Sequence, residues 1–194
     1  MPDAPTARSA RFDILLAGSP GPATVSTCSL VREGDVAIII DPGLAPSQES
    51  LLAPLAELGL SADQVTDVVI SHHHPDHTLN VALFPEARVH DHWAIYDFAG
   101  RWDSVDCEGR VLSPSVSLIR TPGHSAEDLS TVVGTPDGVV VFTHLWWTDA
   151  GPADDPYAPD PALLHASRAR VLALADLLVP GHGAPFRPSG STPR

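Results

Sequence analysis

No window of the chain approaches the roughly 18 uninterrupted apolar residues that a membrane-spanning helix needs. The opening MPDAPTARSA also lacks an apolar core of signal-peptide length, so a cytoplasmic protein with no membrane segment is expected. Only two cysteines occur, Cys28 and Cys107, neither in a metal-chelating spacing, which predicts buried thiols. Basic residues are scarce too: 11 Lys plus Arg stand against 24 Asp plus Glu, a net charge of −13. That balance disfavours a grip on long nucleic acids, although bound dications would add positive charge that the count omits. Ser125 lies in no Gly-x-Ser-x-Gly turn and no Gly-rich segment ends in Lys-Ser/Thr, which removes support for a serine nucleophile or a phosphate loop.

What is present suffices for one core. The 194 residues fit a single domain, and 43% hydrophobic against 18% charged is the balance of a globular chain. Residues 1–10 and 188–194 are rich in small, polar and turn-forming types and are expected to be flexible, leaving a domain over residues 11–187.

Within that domain, Phe12–Leu16, Ser29–Arg32 and Val36–Ile40 read as strands, the last ending at Asp41-Pro42-Gly43. A helix capped by Ser47 carries Leu51, Leu52, Leu55 and Leu58, with Pro54 kinking it or delaying its start. Val68–Ile70 is a short strand, and Thr78–Phe84 reads as a helix. Later strands are expected at Arg88–His90, Val116–Arg120, Ser130–Val133 and Val139–Thr143, with a helix over about Ala162–Ala175 preceding Leu177-Leu178-Val179-Pro180-Gly181-His182. Hairpin-like neighbours among the α/β alternation predict mixed sheets. The proline-dense stretch from Asp149 to Pro161 resists helix and strand, leaving two readings open: a disordered insertion or a flap beside a site.

Three segments carry the chemistry, each after an expected strand: Ser71-His72-His73-His74-Pro75-Asp76-His77, Thr121-Pro122-Gly123-His124, and Val179-Pro180-Gly181-His182-Gly183. Imidazoles and a carboxylate suit a borderline cation such as zinc, whose catalytic sites keep one position open. Residues two apart on a turning loop point the same way, so His72 and His74 can share one ion while Asp76 and His77 face another. Gly123 and Gly181 allow sharp strand exits that turn the next histidine inward. A lone histidine is usually a surface or partnered residue, but packing alone rarely arranges this whole group.

The pattern His72-x-His74-x-Asp76-His77, followed by His124 and His182, resembles the metallo-β-lactamase-fold superfamily, over nearly the whole chain. That resemblance implies a four-layer αβ/βα sandwich with two mixed β-sheets and metals at one sheet edge. It places His72, His74 and His124 on one metal and Asp76, His77 and His182 on a second, with Asp41 orienting the histidine loop. Within the superfamily, Thr121-Pro122-Gly123-His124 and Val179-Pro180-Gly181-His182-Gly183-Ala184-Pro185-Phe186 are similar to the metallo-β-lactamase domain-containing protein 1 subgroup. Animal members of that subgroup are associated with RNA cleavage.

One position departs from the pattern. Many hydrolases of this kind place a bridging aspartate after a late strand, where this chain has Thr143-His144-Leu145. Three roles stay open for His144: direct ligation, a weakened second metal, or hydrogen bonding to substrate. Ligation is the expectation, with Asp149 the lesser candidate. For Trp146 and Trp147, which follow, two readings stay open: one walls the pocket while the other packs inward, or both belong to the core. His73 reads as outward-facing, and His90 and His92 as surface or edge residues.

The expected activity is hydrolysis by a metal-bound hydroxide, with Asp76 orienting the water and one or two zinc ions per chain, iron or manganese being the other cations considered. The substrate is expected to be a small molecule with an ester, lactone, amide or phosphodiester bond. The rivals are a mononuclear iron oxygenase of the same fold, which the replacement of the late aspartate speaks against, and a metal-stabilised binding domain without turnover.

Overall fold

In a computed structural model of the chain, which describes residue 5 and residues 7–194, two β-sheets lie face to face with helices outside them. The first sheet comprises β1 (Arg11–Leu16), β2 (Cys28–Glu33), β3 (Val36–Ile40), β4 (Asp67–Val69), β5 (Arg88–His90), β6 (Ile95–Tyr96) and β7 (Trp102–Asp103), paired in that order. The second comprises β8 (Val111–Ser113), β9 (Val116–Arg120), β10 (Leu129–Thr135), β11 (Gly138–Thr143) and β12 (Leu177–Pro180), ordered β12-β11-β10-β9-β8. Both sheets are mixed: β3, β4 and β5 run parallel, as do β11 and β12, while the remaining pairs are antiparallel. This is the expected four-layer sandwich.

The unbroken apolar run of β3 follows from burial on both of its faces. Ile38 and Ile40 point between the sheets, where they meet Val69, Leu118, Leu129, Val140 and Phe142. Ile39 points outward with Val68 and Val89 beneath α1 (Glu49–Glu57), which contributes Leu51 and Leu55. Each such buried side chain stabilises the fold by about 1.5–3 kcal/mol. On the far side, Val139, Val141 and Leu178 pack under Leu164 and Val171 of α3 (Pro161–Leu172). Asp160 starts α3 by accepting hydrogen bonds from the Ala162 and Leu163 amides at 2.8 and 3.4 Å.

Several local expectations change. Gln48 directly precedes α1 without a side-chain cap, and Ser47 caps it as expected, its hydroxyl accepting the Ser50 amide at 3.3 Å; Pro54 lies inside the helix without ending it. The expected helix over Thr78–Phe84 is absent. A single turn, α2 (Pro75–Thr78), is followed by a 3₁₀ turn over Val81–Leu83. Asn80 causes the break: its amide donates to the Pro42 carbonyl at 2.8 Å and its side chain to the Gly43 carbonyl at 2.5 Å. The late helix ends at Leu172 rather than Ala175, and β6, β7 and β8 were not anticipated.

Of the terminal segments expected to be loose, residues 1–4 and 6 lie outside the described residues. Ala10 is buried, and its amide donates to Gly134 at 3.2 Å. At the other end the Pro193 carbonyl accepts the Trp146 indole N–H at 2.8 Å. Both cysteines are free and buried as expected. The sheets are also tied by Glu33, at the end of β2, which accepts from the Ser115 amide at 2.9 Å and from the hydroxyls of Ser115, Ser113 and Ser9. Among the described residues no helix is long and apolar enough to cross a membrane.

Candidate metal centre

Topology alone gathers the three motif segments. Because β9 and β11 both oppose β10, and β12 runs with β11, the ends of β9, β11 and β12 fall on one edge of the second sheet. The parallel strands β3 and β4 deliver Asp41 and Ser71-His72 to the facing edge of the first. The Leu129 amide, donating to the Ser71 carbonyl at 3.0 Å, joins the two edges at this point.

There the imidazoles converge. His72 Nε2 lies 2.9 Å from His74 Nδ1, which is 3.0 Å from His124 Nε2. His144 Nε2 lies 3.0 Å from His182 Nε2, and Asp76 Oδ2 is 3.4 Å from His77 Nε2 and 3.6 Å from His182 Nε2. Two buried triads, each with its ligand atoms within 4.8 Å of one another, are His72, His124, His144 and His77, His144, His182. His144 thus belongs to both, at their junction. The half-buried His74 stands outside these triads, yet its Nδ1 contacts two of the same nitrogens. Asp149 is exposed and takes no part.

The outward nitrogens determine what the inward ones can do. His77 Nδ1 faces Asp41 Oδ2 at 2.9 Å, His124 Nδ1 faces Asp155 Oδ2 at 2.8 Å, and His182 Nδ1 faces the Val25 carbonyl at 2.9 Å. All three partners are acceptors, so each ring holds a proton on Nδ1 and turns its Nε2 inward; in His124 and His182 that Nε2 is a bare lone pair, and in His77 it is one once a cation takes the place of the second proton. The buried His77 Nε2 and His144 Nδ1 have no hydrogen-bond partner among the described residues. Bare lone pairs beside one another and beside the Asp76 carboxylate repel unless a positive charge sits among them. The donor set of neutral imidazoles and one carboxylate therefore fits a zinc-like or iron-like dication.

Protonation preferences agree with this. Burial, followed by the neighbouring rings, drives His72 and His144 well below the ordinary histidine range, and burial also lowers His74 and His182. Neutral imidazole is the form that ligates. His77 differs: burial opposes its cation, but the Asp41 and Asp76 carboxylates outweigh burial and raise it to about 9. Burial would likewise raise Asp76, whereas its contact with His77 holds it down to about 2. A positive charge is favoured where these carboxylates and His77 meet.

Space around the rings is tight. A Cβ on Gly181 would collide with the His144 ring, and one on Gly123 would run into Leu145 and Leu164. Neither glycine has a positive φ, so close approach rather than backbone freedom requires them. Over the rings opens a cleft of about 450 Å³, walled by Pro20, Leu44, Pro75, Trp147 and Tyr157. A larger hollow of about 780 Å³ lies by the starts of β11 and β12, the opposite edge of the sheet, and is lined by no imidazole. The chemistry belongs to the smaller cleft.

Trp147 lines that cleft while Trp146 is fully buried, which decides between the two readings of the pair. His73 has a side chain 35% exposed, stacks on Trp93 and meets Glu127 at 3.0 Å. His90, expected at a surface or edge, is instead buried against Asp67 at 2.8 Å. Asp155 was not anticipated. It sits in the proline-dense loop among other acidic residues, and nothing local in the sequence separates it from them.

A two-sheet sandwich that gathers imidazoles and a carboxylate at one sheet edge is the architecture of metallo-β-lactamase-like metalloproteins. The chain belongs to the metallo-beta-lactamase superfamily, whose family model matches residues 21–182. It is 40% identical over 160 residues to metallo-beta-lactamase domain-containing protein 1 of Homo sapiens, a match covering 77% of this chain and 59% of that protein. The chain thus spans about six tenths of that relative's length. Among solved structures it is similar to a Thermotoga maritima protein assigned to the metallo-beta-lactamases, with TM-score 0.73 and 27% identity over 93% of this chain and 100% of that one. Another, solved in a di-iron-bound form, has TM-score 0.64 and 26% identity, covering 89% and 94% of the two chains.

Proposed function

We propose that the protein is a metal-dependent hydrolase of small molecules. His72, His74 and His124 would hold one cation, Asp76, His77 and His182 a second, and His144 would ligate at the junction. The observation that carries this reading is the set of inward-facing Nε2 atoms on His77, His124 and His182, each ring fixed by an acceptor behind it. When bound, a dication lowers the pKa of water from 15.7 to about 7 and polarises the attacked carbonyl or phosphoryl oxygen.

The chain's own residues supply the rest. Asp76, ionised across the working pH range, accepts a hydrogen bond from the attacking water at Oδ2 and orients it. Trp147 and Tyr157 wall one side of the cleft, and Leu44 borders it as a further apolar wall. No arginine is among the residues lining the cleft, and every basic residue of the chain is an arginine. The walls therefore select for the apolar part of a substrate, and any anionic group must be met by the cations. This favours a small molecule bearing an ester, lactone or amide over a long nucleic acid.

Elemental analysis of protein purified without added metal tests this reading. About two zinc ions per chain support it. A single iron with oxygen uptake points instead to an oxygenase and sinks the hydrolase. A screen of esters, lactones and phosphodiesters should then find turnover that falls at least about a hundredfold in Asp76→Ala. Full turnover in that variant would remove Asp76 from the reaction.

A further inference from the structure

The geometry points to Asp155 as a positioning residue that makes the metal-binding side chain His124 and the substrate wall Trp147–Tyr157 one unit. One carboxylate oxygen, Oδ2, accepts both the His124 Nδ1–H and the Trp147 Nε1–H, each at 2.8 Å. The other, Oδ1, accepts the Tyr157 amide at 2.9 Å. Its side chain is 0% exposed, so no water competes for these bonds. Three groups that line the cleft thus meet on one buried carboxylate.

The loop around Asp155 is held at only a few points. Upstream, the fully buried Arg168 donates to the Pro152 and Ala153 carbonyls at 2.7 and 2.6 Å and to Leu145 at 2.9 and 3.0 Å. Downstream, α3 begins at Pro161. Between these anchors the tie to the metal centre runs through Asp155. Tyr157 is 63% exposed, yet its ring stacks on Trp147 with centroids 5.8 Å apart and lies 5.5 Å from His124. It stays over the imidazoles because Asp155 holds its backbone on one side and its stacking partner on the other.

A ring that ligates through Nε2 becomes a stronger donor at Nδ1, so its bond to a carboxylate tightens. In His124 that bond ends on the oxygen that also holds the Trp147 indole. Cation binding should therefore firm the wall, and a firm wall should favour cation binding, since coupling between two sites is reciprocal. A mere loop anchor would not behave this way: its loss would lower stability and leave metal affinity unchanged.

The test uses zinc alone, with affinity read by competition against a chromophoric chelator and the wall read by tryptophan emission. In the wild type, zinc should shift the emission, and Trp147→Phe should abolish most of that shift while changing zinc affinity a few-fold. Asp155→Asn keeps the size of the side chain but offers an amide N–H₂ where donors converge. It should weaken zinc about 10- to 100-fold and shrink the emission change at saturating zinc. Zinc affinity unchanged in both variants overturns the proposal, as does an emission shift that persists in Trp147→Phe. If Asp155→Asn does not fold, Trp147→Phe alone decides. The inference rests on His124 being a metal ligand: wild-type protein that takes up no metal overturns that reading and this one together, whereas uptake indifferent to Asp155 and Trp147 overturns only this one.

Discussion

Asp41 holds His77 from behind, its Oδ2 lying 2.9 Å from the ring's Nδ1. The other oxygen accepts the Ser71 amide at 2.7 Å, so one carboxylate fixes both ends of the loop that carries His72, His74 and Asp76. Asp41 does this from a left-handed backbone conformation, φ 52°, which asparagine and aspartate tolerate better than other side chains bearing a Cβ.

Asp41→Asn therefore separates charge from conformation. Asparagine accepts the same φ and can still receive the Ser71 amide, but its N–H₂ then faces the His77 Nδ1–H, donor against donor. The ring should turn or change tautomer, and metal affinity should fall about 10- to 100-fold with little change in the circular dichroism of the fold. Chelator competition measures the first and the spectrum the second. Wild-type affinity in this variant would show that His77 does not need its rear partner.

His144 offers a second separation. It belongs to both buried triads, and its Nδ1 has no hydrogen-bond partner among the described residues. His144→Ala should lower the metal content of dialysed protein towards one ion per chain. His144→Asp should recover the second, because a carboxylate can bridge two cations where an imidazole nitrogen binds one. Metal-to-protein ratios from elemental analysis distinguish these outcomes. Equal ratios in wild type and His144→Ala would move His144 out of the ligand set.

Features set by local sequence were legible before the structure. Val36–Ile40 reads as a buried strand because both faces are covered, so no polar residue interrupts the run. His72, His74, Asp76 and His77 stand out because few packing needs put so many titratable groups in one turn. What escaped depends on distant partners. The region after His77 has helical composition, but Asn80 spends its amide and side chain on Pro42 and Gly43, and the helix stops. The two-residue strands β6 and β7 are too short for any periodicity to show. Asp155 becomes visible only when β9 and β11 bring His124 and Trp147 to the same place. His90 was misjudged for the same reason, since Asp67 meets it from the neighbouring strand.

The Glu33 tie between the sheets makes a prediction about pH that is independent of the metal centre. Burial alone would raise this carboxyl, but the hydroxyls of Ser113, Ser115 and Ser9 and the Ser115 amide hold it down to about 2, against 4.5 unperturbed. A depressed pKa in the folded state means that the carboxylate stabilises the fold fully above the unfolded value and loses that contribution as pH falls towards the folded one. Glu33→Gln should therefore cost about 1 kcal/mol at pH 7, a figure discounted for partial exposure, which corresponds to about 2–4 °C in Tm for a chain of this size. Below about pH 4.5 the wild type should lose its advantage, and the two melting curves should converge as pH approaches 2. Thermal melts of metal-free protein at stepped pH measure this directly. Imidazole protonation affects both proteins alike and cancels in the difference. A gap in Tm that stays constant from pH 7 into the acid range would mean that Glu33 contributes packing rather than charge.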